Sequence, residues 1–346
     1  MGIIPLILRK DSAPLNSGSN AESLIKGEYD RMKHISGKAA ARRFKLGMHT
    51  YTLHLSGLGE SWGFQSEGKT FAFEKVINLE KLMDMCVEEG IEVIHMTLVD
   101  LDDDLSNAHL AAVKEKAQQL GLDLELNISF NAPSDPRVNC TIAESLEIAH
   151  KLGCKLVKYS TDVEHPHPIS HACMCPEAVK QMADIVLDFK KNLPAIEKYG
   201  MKIAIENHCD LFADEVIWMV EQINHPLVGA CCDTINSLML AEGIKDCVDK
   251  MAPYSYCVHF CDNRVFADPD GTHSLGCAIG DGDVDVIEVM KILREKAPEE
   301  LDTIDLEIEL PLSGYSLEDG RKEEIAAMRK SIKYMHEVLN LGIKGR

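Results

Sequence analysis

Aromatic side chains are scarce in this chain of 346 residues: they make up 5% of it, with only two tryptophans. Basic residues are also in the minority, 36 Lys and Arg against 56 Asp and Glu, for a formal net charge of -20. Nucleic-acid binding is driven by Lys and Arg neutralising phosphates, so this balance argues against DNA or RNA as a partner. No apolar run approaches the ~18 to 20 residues that a membrane-spanning helix needs, so no bilayer crossing is expected. The first apolar stretch, Ile3 to Leu8, is shorter than the core of a secretion signal and has its basic residues after it rather than before. We therefore expect a cytoplasmic protein.

The length allows one large domain or two small ones, so pattern must decide. Twelve cysteines would suit a disulfide scaffold only in a much shorter chain; Cys86, Cys154 and Cys257 fall inside apolar segments, as reduced thiols do. Thiols and 15 methionines fit a low-oxygen setting, since both are oxidation targets. Residues 1–43 carry Ser, Asn, Gly and Lys/Arg with no sustained apolar period and read as an N-terminal extension, a candidate partner-docking segment. The pattern changes at Phe44, and 44–346 reads as one catalytic domain.

A β-type run over 44–53 precedes a helical period over 76–89, in which Val76, Leu79, Leu82, Met83 and Cys86 share a face. The order repeats: strand-like 92–98, 122–128 and 155–159, helix-like 106–120, 142–152 and 176–199. Further strands are expected at 201–207, 227–233, 255–261 and 303–309, each followed by a helical pattern. Gly90, Gly121, Gly153 and Gly200 stand where helices end. Near-continuous apolar strands alternating with helices imply a parallel sheet covered by helices. Eight such units fit an α/β fold of the closed (β/α)8 TIM-barrel type, with a doubly wound open sheet as the alternative.

A barrel of this kind places its chemistry at the C-terminal ends of several strands. Here strand five ends Ile205-Glu206-Asn207-His208, strand six ends Cys232-Asp233, strand seven carries Val258-His259-Phe260, and strand eight reads Leu306-Glu307-Ile308-Glu309. A single carboxylate at a strand end commonly caps the next helix or faces water. Four metal-capable side chains are another matter. Glu206 to Asp233 is 27 residues and Asp233 to His259 is 26, about one strand-plus-helix unit each, so barrel geometry would make them neighbours on the rim. One His with three carboxylates suits one Mn²⁺ per chain, with Mg²⁺ or Co²⁺ as alternatives, better than a structural zinc site. Period-two alternation puts Glu307 and Glu309 on the same face, so either can be the fourth ligand. Glu309 is nearer the loop and is our choice, leaving Glu307 for a supporting or base role.

Four ordered motifs, Ala204-Ile205-Glu206-Asn207-His208, Cys232-Asp233-Thr234-Ile235-Asn236, His259-Phe260-Cys261-Asp262-Asn263-Arg264 and Gly280-Asp281-Gly282-Asp283-Val284-Asp285, carry a resemblance. The chain from about 44 to 341 resembles the xylose-isomerase-like TIM-barrel family of sugar isomerases, epimerases and related lyases, which includes the catalytic subunits of C-glycoside deglycosidases. The resemblance implies a metal site of Glu206, Asp233, His259 and Glu309 on which a sugar's carbonyl and hydroxyl oxygens chelate. Members of the family often carry Lys two residues after the strand-seven His, where this chain has Cys261. A neutral sugar is therefore expected rather than a phosphorylated one.

A metal acting as a Lewis acid would stabilise the enediolate left when a carbon beside a sugar carbonyl loses its proton. His208 is the candidate base, since an imidazole of pKa about 6.5 can accept a proton near neutrality; the alternative is that it hydrogen-bonds a ligand. Glu206, Glu307 and Glu309 complete the candidate catalytic set. His49, His95, Asn127, His165, Asp262, Arg264 and Trp62 are candidates to contact the substrate. Isomerisation or epimerisation of a ketose or keto-sugar is the leading expectation. Elimination that cleaves the carbon–carbon glycosidic bond of a 3-oxo-glycoside follows it, and by resemblance that reaction works with a small partner subunit. Either a homo-oligomer or a hetero-oligomer with such a subunit is expected.

The segment Glu164 to Cys175 is rich in His and Cys and could bind a soft metal, but its prolines and rim position favour a substrate-covering loop. Trp62, Phe64 and Phe71 could wall an aromatic aglycone or simply pack. Cys231 and Cys232 should point to opposite faces of one strand, which favours burial over redox activity. Gly280-Asp281-Gly282 lacks the spacing of a dinucleotide fingerprint. Two other classes stand against the sugar-isomerase or lyase reading: a barrel without catalysis that senses sugar or serves as a scaffold subunit, disfavoured by the full set of ligand types, and a phosphodiesterase, disfavoured by the acidic charge.

Overall fold

Short apolar runs bounded by Gly, Asp and Asn become the strands, and longer runs with one apolar face become the helices between them. The computed structural model describes residues 42–60, 73–102, 104–132, 135–166, 173–269, 271–312 and 316–342. The first unit is β1 (Lys45–His49), a 3-10 turn over Thr50–Ser56, and α1 (Leu79–Glu89). There follow β2 (Val93–Thr97), α2 (Asn107–Leu120), β3 (Asp123–Ser129), α3 (Ile142–Leu152), β4 (Leu156–Ser160) and α4 (Pro176–Tyr199). The second half contains β5 (Lys202–Glu206), α5 (Ala213–Ile223), β6 (Val228–Asp233), α6 (Ile244–Met251) and β7 (Ser255–Phe260). A hairpin, β8 (Asn263–Asp268) with β9 (Gly271–Gly276), precedes α7 (Val286–Lys296), β10 (Thr303–Leu306) and α8 (Leu317–Glu337).

Eight parallel strands close into a barrel in the order β1-β10-β7-β6-β5-β4-β3-β2, which is the (β/α)8 TIM barrel rather than the open sheet. Helices α1 to α4 end on Gly90, Gly121, Gly153 and Gly200, each in the left-handed conformation that closes a helix without a Cβ clash. Two strand ends and one connection differ from expectation. Residues Thr50 to Leu53 leave β1 for the 3-10 turn, and β10 stops at Leu306, before Glu307 and Glu309. The antiparallel hairpin inserted after β7 is an addition to the eight-unit pattern.

The main core lies between the barrel and its helices, with Phe44, Leu82, Ile94, Phe189, Met219 and Ile304 among its buried members. Inside the barrel the apolar content is small: Leu156, Ala204, Cys231 and Cys257 form a separate cluster. Cys231 therefore faces inward, while its neighbour Cys232 joins the outer core. The rest of the interior is polar, which is where the chemistry lies. Among the described residues no helix is long and apolar enough to cross a membrane.

Candidate metal centre

Parallel strands all present their C-terminal ends at one mouth, so residues that close different strands converge there. Glu206 closes β5, Asp233 closes β6, His259 is the penultimate residue of β7, and Glu307 follows the last residue of β10. Candidate ligand atoms of Glu206, Asp233 and His259 all lie within 4.8 Å of one another, and all three residues are buried. Glu307 joins them: its Oε2 and Glu206 Oε1 each lie 2.9 Å from His259 Nδ1. The register places Asp233 beside His259 across β6 and β7.

These side chains are held from several sides. Asn207 bridges β5 and β6, accepting from the Asp233 backbone N–H at 2.8 Å and donating to its carbonyl at 3.1 Å. Asp233 Oδ1 accepts from the N–H groups of Ile235 and Asn236 at 2.7 Å each, and Cys261 Sγ lies 3.6 Å from Oδ2. Lys158 donates to Glu206 Oε2 at 2.5 Å and to Ser160 Oγ at 2.8 Å, and both members of the ion pair are 1% exposed.

Burial opposes ionisation of Glu206, but Lys158 and His259 outweigh it and hold the carboxyl below its ordinary range. For Glu307 burial is likewise outweighed, here by His259 and His49. Asp233 goes the other way, raised by burial and by the charges of Glu307 and Glu206. His259 is raised despite burial, because Cys231, Glu307 and Glu206 favour its protonated form. The Cys231 thiol, opposed by burial, is drawn down to about 6 by Cys257 and His259.

Two more of the anticipated residues stand beside this group. His49 Nδ1 lies 3.1 Å from Glu307 Oε1 and its Nε2 lies 2.8 Å from Asn127 Nδ2, which also donates to Glu60. The His95 ring packs 5.0 Å from that of His259, but its Nδ1 faces deeper, toward Glu125 and Asp305. His208 lies in the loop beyond β5, half-buried and close enough to Glu206 for its charge to act on that carboxyl. Glu309 is partly exposed on the rim, and burial with the charges of Glu307, Glu206 and Glu60 pushes its carboxyl up to about 8.

Other anticipated residues are not brought to the cluster. Asp262 accepts from the N–H groups of Gly280, Gly282 and Val284, tying down the loop before α7. Arg264 is exposed on the hairpin and donates to the Asp281 carbonyl. His165 lies 3.1 Å from Glu215, which also accepts from Met174 N–H, so this part of the loop is pinned to the start of α5. Trp62, Phe64, Phe71 and the middle of the Glu164 to Cys175 segment lie outside the described residues.

Lys158, Asn207 and Glu60 escaped the sequence reading as parts of the site. Lys158 carried a usable signal, a lone charge inside the apolar run Leu156-Val157-Lys158-Tyr159, where a charge persists only if it is paired. Asn207 stood in the Glu-Asn-His motif without an assigned role.

The donor set fits a divalent cation: the carboxylates of Glu206, Asp233 and Glu307 converge with one imidazole, whose Nδ1 faces the carboxylates of Glu206 and Glu307. Fold and site thus define a (β/α)8 barrel with a His and carboxylate cluster at its C-terminal mouth. Residues 89–334 match the model of the xylose isomerase-like TIM barrel family, and the chain belongs to that family.

Among curated proteins, the uncharacterised YihM of Escherichia coli K12 is 23% identical over 245 residues, 68% of this chain and 64% of that protein. The chain thus spans less than two thirds of that relative. A 3-oxo-isoapionate decarboxylase of Pectobacterium atrosepticum is 23% identical over 265 residues, 75% of this chain and 88% of its own length. Two solved structures share the fold. One is the IolI protein with a bound zinc atom, at TM-score 0.60 and 17% identity over 87% of this chain and all of that one. The other is D-psicose 3-epimerase in the presence of D-fructose, at TM-score 0.58 and 15% identity over 85% and 99%.

Proposed function

We propose that this chain removes a proton beside the carbonyl of a ketose or keto-sugar and returns it elsewhere, isomerising or epimerising the sugar with the help of one divalent metal ion. The observation that carries this reading is the convergence of Glu206, Asp233, His259 and Glu307 at the C-terminal mouth. The epimerase among the structural neighbours supports the reaction class. Glu206, Asp233 and His259 would hold the ion, with Glu307 or Glu309 as fourth ligand. Mn²⁺ is the first choice, with Mg²⁺ or Co²⁺ as alternatives, although the IolI neighbour carries zinc. When bound, the ion supplies Lewis acidity toward the sugar's carbonyl oxygen.

The residues of the chain do the rest. His208 takes the proton as the C–H bond breaks, and the electron pair moves into the adjoining C–C bond while the carbonyl π pair moves onto oxygen. Delivery of a proton to the same carbon from the opposite face, by a second acid, gives the epimer; return of the proton from His208 to the former carbonyl carbon, with the neighbouring hydroxyl losing its proton to become the new carbonyl and the former carbonyl oxygen gaining one, gives the isomer. Glu309, on the rim after β10, would act as that second acid. Asn127, His49 and Glu60 offer hydrogen bonds to sugar hydroxyls, and Asn207 and Lys158 position the ligands.

A second reading is favoured by the decarboxylase relative, whose name records carbon–carbon scission beside a 3-oxo group. The same deprotonation would then expel a β-substituent, as in a C-glycoside deglycosidase acting on a 3-oxo-glycoside with a small partner subunit. One experiment separates the two. Purified protein loaded with Mn²⁺ is incubated in deuterated water with ketoses and, separately, with 3-oxo-glycosides. Deuterium at the carbon beside the carbonyl of a ketose supports the first reading, and it should fall roughly 10²- to 10⁴-fold in His208→Ala. Aglycone release without exchange into any ketose replaces it with the second. Metal analysis should show about one ion per chain at this site, lost in Glu206→Gln and Asp233→Asn; retention in both removes the site.

A further inference from the structure

Beneath the rim cluster, one pleat deeper inside the barrel, lies a second convergence. Cys257 precedes His259 by two residues, Asp305 precedes Glu307 by two, and Glu125 precedes Asn127 by two, so the strand period that aims the upper residues inward aims these inward as well. His95, from β2, completes the set. All four residues are buried, with His95 and Asp305 fully inaccessible.

One ligand atom from each of the four lies within 4.8 Å of the other three. His95 Nδ1 is 3.4 Å from Glu125 Oε2, 3.5 Å from Asp305 Oδ2 and 3.8 Å from Cys257 Sγ, and Sγ is 3.7 Å from Asp305 Oδ2. Zinc bonds of about 2.0 Å to nitrogen or oxygen and about 2.3 Å to sulfur make a tetrahedron whose edges are about 3.3 to 3.6 Å. The observed separations are those of such a tetrahedron, slightly expanded.

Independent observations point to a ligand. Glu125 Oε2, one of the converging atoms, is buried without a hydrogen-bond partner among the described residues, whereas the likewise unpartnered Asp305 Oδ1 and His95 Nε2 are the outer atoms of their side chains. No Lys or Arg among those residues forms an ion pair with Glu125 or Asp305, in contrast to Glu206 above. Two desolvated carboxylates facing each other need a counter-charge or a proton. Room for Asp305 is made by Gly47, where a Cβ would stand 1.9 Å from Asp305 Oδ1. Glu125 also borders a cavity of about 370 Å³ at the N-terminal mouth of the barrel, lined by Lys45, Asp123, Lys155, Lys202 and Asp302.

We propose that His95, Glu125, Cys257 and Asp305 bind a second, four-coordinate zinc-type cation inside the barrel, distinct from the ion at the rim. The mixed nitrogen, oxygen and sulfur donors favour a borderline-soft metal such as Zn²⁺ over the harder ion suited to the rim. With all four donors supplied by the protein, the site is closed and its role is to brace the barrel floor beneath His259.

The test uses metal-stripped full-length protein and Co²⁺ alone, because a thiolate ligand gives cobalt an intense near-ultraviolet charge-transfer band. Wild type should bind two equivalents, and the band should rise with only one of them. Cys257→Ser, and independently Glu125→Gln, should bind one equivalent and weaken or lose the band. Cys231→Ser and Cys261→Ser should keep it, and Glu206→Gln should lose the other equivalent while the band remains. A single equivalent in wild type without a band overturns the deep site, as does a band that survives Cys257→Ser. Failure of the rim site alone would appear differently, as a lone equivalent that carries the band and is indifferent to Glu206→Gln.

Discussion

Lys158 and Glu206 form an ion pair that water cannot reach, and such pairs cost more to break than to replace. Lys158→Met takes the buried ammonium from Glu206 and leaves its carboxylate with His259 and the Ser160 hydroxyl, so the metal-free protein should lose about 3 kcal/mol of unfolding free energy, the low end for a broken buried pair. Denaturant unfolding in chelator measures this loss, and it should shrink when a divalent ion is present to balance Glu206. Asn207 tests positioning without charge. Its side chain meets both backbone groups of Asp233, so Asn207→Ala should weaken metal binding roughly 10- to 100-fold, read by competition with a chromophoric chelator. Fluorescence-detected unfolding would separate that effect from loss of the fold. Of these two, only Lys158 could have been suspected from sequence, because a charge in an apolar run demands a partner, whereas an Asn after a strand end has many ordinary uses.

At the level of elements, α8 locks the turn that follows β1. Glu324 is fully buried on α8 and accepts from Leu55 N–H at 2.7 Å and Ser56 Oγ at 2.9 Å, while Arg321 donates to the Leu55 carbonyl. Burial outweighs these donors and pushes the Glu324 carboxyl from 4.5 up to about 7. The folded chain therefore holds a proton that the unfolded chain has already released between these two values. Stability from this group is complete below about 4.5 and is lost as pH rises through about 7. Glu324→Gln cannot titrate. Relative to wild type it should gain on the order of 2 to 3 kcal/mol between pH 4.5 and 8, and a pH-independent difference in denaturant midpoints would contradict the assignment. The pairing of α8 with Leu55 spans 269 positions in sequence, and no local pattern announces it. Nor did local pattern announce the 3-10 turn or the hairpin: Thr50 to Leu53 are as apolar and β-prone as a strand, and only closure of the barrel ends the ladder at His49.

For the whole molecule, the rim ligands come from β5, β6, β7 and the chain after β10, four neighbouring strands of the second half, so an ion held by them ties that side of the barrel together. A ligand that binds only the folded chain stabilises it by mass action, about 2.7 kcal/mol at one hundred times the dissociation constant. Addition of Mn²⁺ to stripped protein should raise the unfolding temperature in a concentration-dependent way. Glu206→Gln should show none of that dependence on Mn²⁺; an equal rise in the variant would place the ion elsewhere.

The sequence by itself determined the eight strand-and-helix units, their parallel sense and the convergence of Glu206, Asp233 and His259, because strand period and unit length follow from local residue order. Only the tertiary structure decided that the sheet closes, that Glu307 rather than Glu309 lies against His259, and that Lys158 and the deep quartet share the barrel interior. Those outcomes depend on shear and on where each ladder ends. Both are properties of all eight strands together, and no single segment encodes them.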